Sequence, residues 1–437
     1  MCSSTPLEAR AVSHLWGGPH FREVLGDTAF AILDRTLLSA TNFAVGILLI
    51  RRASEAEYGL YVLAHSAILL LIGFQNALIT TPMSVMAPKQ ESNERQHFIS
   101  TLGKTQYLIW LPLCFGLLLV SHFAHYLSLD VATQAIILAV AIVSLSVLLQ
   151  EFIRHVFFVY MVPQSVLLVD IVYAVIFVGL VYFFTTASSA PAVYTITAMG
   201  LAGLLAGICG FLLIRGRNGW KFSWDLSPLA VAWKHGKWAL MGVAVTWLHN
   251  QGFLYLLSGL MGMVEVGSVS ASRLFFMPIP IMLVSVGSIL KPRGASWIAD
   301  GEQRRLFQIT GLFTGAAVVV ALMYAGVVFF ERKRIGYLVF NKEIAEIDSL
   351  VALWGAVFVV QIVRSSLSVL FQILERFRVL FYIGTLAAVS SLSLGYWAIQ
   401  LFGAPGSLVG LIAGELTYVV CMGWVLFEAR DWRVGGR

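Results

Sequence analysis

The chain has 437 residues, of which 59% are hydrophobic and 12% charged, with a formal charge of +6 and a mean hydropathy of +0.84. That balance excludes a soluble globular enzyme of this length and points to a membrane protein. The basic surplus sits in short connections between apolar runs, which is a topological signature and argues against a nucleic-acid-binding surface.

At the amino terminus, "MCSSTPLEARAVSHLWGGPHFREVL" lacks a basic start followed by an apolar core, so no cleavable signal is expected and the first spanning helix serves for insertion. Apolar runs of about 20 residues then recur to the other end, and helices satisfy every backbone polar group inside a bilayer. The expected fold class is all-α and polytopic. Twelve spans are expected at 28–50, 58–81, 103–125, 131–156, 163–185, 191–214, 235–260, 266–290, 306–330, 347–373, 378–402 and 405–428. With both termini in the cytoplasm, the cytoplasmic segments hold about 20 Lys and Arg and the outer loops about six. Arg51 and Arg52, at the end of the first span, and "ERKR" (331–334), expected to open the loop after the ninth, are the outer exceptions.

The implied organisation is a cytoplasmic segment 1–25, a six-helix lobe 26–214, a basic and aromatic linker 215–234, a second six-helix lobe 235–429 and a cytoplasmic tail 430–437. An internal repeat supports it. A shift of 208 residues places Asn42 on Asn250, Leu48 and Leu49 on Leu256 and Leu257, Glu57 on Glu265, and Gly59 on Gly267. Two lobes with the same starting orientation are parallel repeats, and such pairs commonly hold a substrate cavity between them. Cys2, Cys114, Cys209 and Cys421 form no C-x-x-C pair and have no His at metal spacing, so no disulfide framework, metal or cofactor is expected.

The first span, "FAILDRTLLSATNFAVGILLI" (30–50), carries two charges. At 100° per residue, Asp34, Arg35, Ser39, Thr41, Asn42 and Gly46 fall within a sector of about 160°, a polar face that should meet water or other helices. The alternative is that Arg35 snorkels from about 10 Å inside the span. The seventh span offers Thr246, His249 and Asn250 on one face, with His249 read as a packed polar residue. The eighth carries Arg273 one turn before Pro278 and Pro280, which break the helix and free carbonyls. Arg364 lies in "VQIVRSSLSVLFQ" with Ser365 and Ser368, and Arg52 sits at the outer rim. Together Arg35, Arg364, Arg273 and Arg52 form a sparse ladder across the membrane, suited to an anion such as diphosphate because a guanidinium stays charged and bonds bidentately. Arg154 is expected to pair structurally with Asp170 or Glu151. Glu415 and Asp34 are candidate proton or ion-coupling carboxyls, Glu415 with no evident partner.

"LIRRASEAEYGLYVLAHSAILLLIGFQNALITTPMSV" (49–85) and "LLQEFIRHVFFVYMVPQSVLLVD" (148–170) resemble, respectively, the second-helix region and the fourth-to-fifth helix turn of polysaccharide flippases in the multidrug, oligosaccharidyl-lipid and polysaccharide exporter superfamily. The resemblance implies turnover of a diphosphate-linked glycolipid of undecaprenyl type from the inner to the outer leaflet of the bacterial cytoplasmic membrane, by alternating access, for surface polysaccharide biosynthesis. Its implied partners are the lipid-linked oligosaccharide and membrane lipids, with the polysaccharide polymerase and glycosyltransferases as further candidates, and no nucleic acid. It also implies substrate-binding roles for Asp34, Arg35, Arg52 and Arg273, which match places that are Arg-Asp or Arg in the murein-precursor branch. The Asp-Arg order is reversed here, and the carboxylates of that branch's sodium site are lacking on the seventh and eleventh spans. With Arg364, Asn42 and Asn250, these residues make up the candidate substrate set. A drug or organic-cation antiporter would call for more cavity carboxylates. A membrane glycosyltransferase or ligase would call for a substantial outer loop, so a non-enzymatic role is expected.

Overall fold

A computed structural model describes residues 19–123, 126, 130–187, 190–217, 227–280, 290–291, 293–294, 296–298, 300–341 and 346–431. In chain order the helices are α1 (Pro19–Arg52), α2 (Glu55–Gln75), α3 (Thr81–Met86), α4 (Ser92–Phe123), α5 (Val131–Val159), α6 (Pro163–Ala187), α7 (Pro191–Arg217), α8 (Ser227–Leu260), α9 (Met263–Arg273), α10 (Gln303–Phe340), α11 (Ile347–Ile373), α12 (Phe377–Phe402) and α13 (Ala404–Asp431). No strand occurs among the described residues.

Local chemistry sets the helix starts and ends. Ser54 caps α2 by accepting a hydrogen bond from the Glu57 amide at 3.2 Å, and Asp130 caps α5 by accepting from the Thr133 amide at 3.2 Å. Pro163 and Pro191 open α6 and α7, where a missing N–H costs nothing. Asn341 closes α10 in the left-handed conformation. The repeat is visible here, because Glu55 and Glu57 lie in the first turn of α2 and Glu265 in the first turn of α9, favourably placed against the helix dipole.

Among the described residues, ten helices are long and apolar enough to cross a membrane, and the protein is a multi-pass membrane protein. The expected seventh span falls on α8 and the eighth begins with α9, while residues 281–289 lie outside the described residues. Large apolar side chains such as Ile32, Leu33, Phe330 and Trp424 are exposed, as a lipid-facing surface requires.

Three expectations need correction or limitation. "ERKR" opens no loop: α10 has 38 residues and runs on to Phe340, about 57 Å of helix against a hydrocarbon layer of about 30 Å. Its projecting end is held by Arg332, which donates to the Phe329 carbonyl, pairs with Asp348 and lies 4.3 Å above the Phe329 ring. Of the expected linker, 227–234 is already helical and 218–226 lies outside the described residues. The first helix begins at Pro19 rather than 28, and residues 1–18 lie outside the described residues.

In the first half of the chain α5 packs on α7 and α4, α6 on α7, and α1 on α6. In the second, α12 packs on α13 and α8, and α11 on α10 and α13. The two bundles meet where α2 crosses α9 and runs along α8. At the crossing the repeat partners lie face to face: a Cβ on Gly59 would overlap the Met263 carbonyl oxygen, and one on Gly267 would overlap that of Glu55. Only glycine permits this approach of two backbones. Ser268 adds a hydrogen bond to Glu55 at 3.1 Å. Further along, the Trp247 indole donates to the Ser66 carbonyl at 2.8 Å and the Tyr255 hydroxyl to that of Leu63 at 3.0 Å. Past Gln75 the helix takes a π turn, Asn76–Thr80, before Pro82, and there Gly236 of α8 lies against the Ala77 carbonyl. The turn absorbs the missing proline N–H within one widened loop of helix.

Candidate functional site

Two buried ionic clusters occupy the two bundles, and their composition differs. In the first, Arg154 of α5 is 8% exposed and binds three carboxylates: Asp170 of α6 through Nε at 2.7 Å, Asp34 of α1 through Nη2 at 3.0 Å, and Glu151 one turn back through Nη1 at 2.8 Å. Gln150 donates to the other oxygen of Asp170 at 3.2 Å. Asp170 is fully buried and Asp34 is 2% exposed. One guanidinium thus gathers three carboxylates, two of them buried, an acid-rich cluster in which Glu151 also lies 3.8 Å from His155.

Arg154, expected beside Asp170 or Glu151, pairs with both. Asp34 departs from expectation. It does not continue the stripe of Arg35 and Asn42: with Thr41, Val45 and Leu49 it is buried, and α1 packs on α6, while Arg35 and Asn42 are exposed. The polar sector of about 160° spans two environments, buried at Asp34 and exposed at Arg35, because adjacent residues diverge by 100°.

In the second bundle Glu415 of α13 is fully buried between two cationic or potentially cationic side chains. Its Oε2 lies 2.5 Å from Arg364 Nε of α11, and its Oε1 lies 3.3 Å from His249 Nε2 of α8. Glu415 therefore has partners that its own helix could not reveal. The Arg364 contact is close but lacks the alignment of a hydrogen bond, and His249 Nδ1 makes none among the described residues. Tyr418, one turn on, lies under the Arg364 guanidinium at 5.4 Å and edge-on to the His249 ring at 5.6 Å. Helix packing puts Glu415 there. Gly406, Gly410 and Gly414 form a small-residue stripe that brings α13 against Gly395 and Ser391 of α12, and a Cβ on Gly414 would lie 3.0 Å from the His249 ring.

This cluster opens onto a cavity of about 1140 Å³ between α8, α11, α12 and α13. Arg364, His249 and Asn250 line it, as do Gln372 and Arg378 towards the turn between α11 and α12, together with Ser368, Thr246 and aromatic rings. Arg378, Gln372 and Tyr418 are not singled out by the sequence pattern. The signal available was Arg376 and Arg378 at the start of α12, where charges read first as topology.

The other candidates stand apart. Arg52 donates to the Tyr182 carbonyl at 3.1 Å and lies 4.5 Å over the Tyr182 ring, tying α1 to the end of α6. Arg273 lies 5.4 Å over the Trp354 ring. After Arg273 the helix tightens into a 3₁₀ turn, Leu274–Phe276, before Pro278, and the Tyr324 hydroxyl donates to the Phe275 carbonyl at 2.7 Å. A smaller cavity of about 310 Å³ lies between α1, this turn and α10, lined by Thr36, Ser39, Phe43 and Pro278 among others. The arginines expected to form one ladder thus lie in separate surroundings, with Arg364 at the large cavity.

No protein-family model matches the chain, and no curated protein matches it either. Solved structures do. A multidrug resistance MATE family transporter of the MOP superfamily in an inward-facing conformation superposes with a TM-score of 0.73 at 12% identity, covering 91% of this chain and 96% of that one. The lipid II flippase MurJ in an inward closed conformation gives 0.71 at 12% identity, covering 93% and 87%. The chain has the MATE and MurJ fold. An outward-facing MATE family structure covers 99% of this chain and 100% of its own, with a TM-score of 0.62 at 13% identity.

Proposed function

We propose that this protein is a flippase that moves a diphosphate-linked oligosaccharide of undecaprenyl type across the bacterial cytoplasmic membrane for surface polysaccharide biosynthesis. The observation that carries the reading is the large cavity, where Arg364 and Arg378 stand with amide, hydroxyl and aromatic side chains. Guanidinium groups suit a diphosphate, and amides, hydroxyls and ring faces suit a glycan. The fold likeness to a lipid II flippase supports it. Arg364 and Asn250 are the substrate ligands we favour from the sequence set, with Arg378 added. Arg35, Arg273, Asn42 and Arg52 would meet the cargo along its path, and Asp34 acts with Arg154 and Asp170 as a proton or cation site that drives turnover. Alternating access would proceed by rocking of the two bundles about the α2–α9 crossing, with both termini cytoplasmic and with glycosyltransferases and a polymerase as functional partners.

The test is polysaccharide export in cells carrying Arg364→Ala at normal expression. The reading expects loss of export, and unchanged export removes the residue from the mechanism. A drug or organic-cation antiporter is the second reading, favoured by the fold likeness to a multidrug transporter and by the acid-rich first cluster. Deletion that raises susceptibility to cationic dyes while leaving export intact would select it.

A further inference from the structure

The geometry points to a phosphate- or diphosphate-binding site at Arg364 where Glu415 serves as an internal counterion and gives up that role by taking up a proton, so that anion binding and proton uptake are coupled in the second bundle. The inference rests on reading the large cavity as the ligand site, and it does not require the cargo to be lipid-linked.

Three observations carry it. First, Arg364 faces the cavity yet its charge is cancelled by a fully buried Glu415 at 2.5 Å. Second, the pair is not a fully satisfied structural bridge: Arg364 Nε and Glu415 Oε2 make no aligned hydrogen bond, and His249 Nδ1 has no hydrogen-bond partner among the described residues. A structural buried bridge gains most when every donor and lone pair is satisfied. Third, His249 lies on the opposite oxygen of Glu415 at 3.3 Å and lines the same cavity, so a proton arriving through the cavity can reach the carboxyl directly or by way of the imidazole.

An anion that engages Arg364 must displace a carboxylate from it. A buried carboxylate stripped of its cation is costly, whereas a protonated carboxyl can remain in place and donate to His249. A diphosphate diester brings two negative charges: one takes the place of the Glu415 carboxylate beside Arg364 as a proton neutralises that carboxyl, and the other faces Arg378. The groups that face this carboxyl are few. His249 comes from α8, Arg364 from α11 and Tyr418 from α13 itself. Arg376 and Arg378 stand at the start of α12, Arg378 on the cavity wall. α9, also packed on α13, carries Glu265 in its first turn and Arg273 over Trp354. Arg378 and Arg364, which both line the cavity, present two cations to the entering group once Glu415 has yielded.

The test uses the full-length protein in lipid nanodiscs and two diphosphate diesters that do not titrate near neutrality: a soluble nucleoside-diphosphate sugar and a short-chain prenyl-diphosphate sugar. Calorimetry in buffers of different ionisation enthalpy reads affinity and proton exchange together. The expected result is uptake of about one proton per bound probe, with affinity about fivefold or more higher at about pH 5.5 than at about pH 7.5. Glu415→Gln, which imitates the protonated carboxyl, should bind at the higher pH as tightly as the unaltered protein does at the lower, with the pH dependence reduced to less than about twofold. Arg364→Ala should lose at least about tenfold at both pH values. Binding of both probes identifies the diphosphate as the recognised group, and binding of the prenyl probe alone identifies a lipid headgroup. Binding of neither overturns the site. Binding without proton uptake in the unaltered protein overturns the coupling, and this measurement needs no variant. A proton-coupled site alongside normal export in Arg364→Ala cells would keep this inference and remove the flippase reading; lost export without proton coupling would do the reverse.

Discussion

The two bundles share a fold pattern and differ in what they bury. In the first, one arginine holds three carboxylates and every nitrogen of its guanidinium is engaged, at 2.7 to 3.0 Å. In the second, one carboxylate serves an arginine and a histidine, with poor alignment and a large cavity beside it. The first arrangement is tightly bonded and rich in acid, with three carboxylates on one arginine. The second is loosely bonded and charge-balanced, so an entering anion must displace something. The difference teaches that a helix repeat preserves the frame while leaving each bundle free to take its own ionic chemistry.

The sharpest way to break the comparison is Arg154→Met. Removing the cation bonded to Asp34, Asp170 and Glu151 leaves three buried or half-buried carboxylates together, and breaking a buried pair from one side costs about 3–5 kcal/mol. Thermal unfolding of the purified protein at neutral pH should show a large loss. A variant as stable as the parent at neutral pH would mean that this cluster is not the ionic lock of the first bundle.

Much of the frame was legible from periodicity and repeat. Gly59 and Gly267 are matched by a shift of 208 residues, and they touch each other's helices at the crossing. Arg154 and Asp170 were legible because a short turn joins α5 to α6 and sets both at similar depth. Asp34 was misjudged because apolar residues in a membrane helix face lipid as readily as they face protein: Ile32 and Leu33 are exposed while Asp34 is buried. The partners of Glu415 come from helices 166 and 51 residues away in the chain, and no spacing within one helix encodes such a meeting. The π turn has no marker in the sequence but Pro82, two residues past its end.

Gly267→Ala tests the joint that unites the bundles. Its methyl group would meet the Glu55 backbone, and overpacking of this kind costs about 1–3 kcal/mol unless the helices part. The expected outcome is a lower unfolding temperature together with a longer distance between spin labels on α2 and α9. Gly179, with open space around its Cβ position, is the matched control and should tolerate alanine. Equal behaviour of the two variants would show that the crossing is not held by backbone contact.

Glu415→Gln separates the clusters by their dependence on charge. Arg364 is partly exposed to the cavity, so water can replace much of what the carboxylate supplied, and the loss should be about 1–2 kcal/mol, well below that of Arg154→Met. Unfolding in detergent at neutral pH measures it. A loss as large as that of Arg154→Met would mean that Glu415 is a structural lock after all.

The smallest effect is expected for Asp34→Asn, and its smallness is the informative part. The amide keeps the shape of the carboxyl and its oxygen can still accept from Arg154, which retains Asp170 and Glu151 as counter-charges. Because three carboxyl groups share one arginine, losing one relieves repulsion among them as well as removing attraction. The net change should be under about 1 kcal/mol in either direction, and unfolding compared with Glu415→Gln under the same conditions decides it. If Asp34→Asn costs more than Glu415→Gln, all three carboxylates are needed to hold Arg154, and the acid surplus is structural rather than a reservoir for a coupling cation. If it costs less while abolishing transport, the surplus carboxylate has a role in turnover that stability does not require.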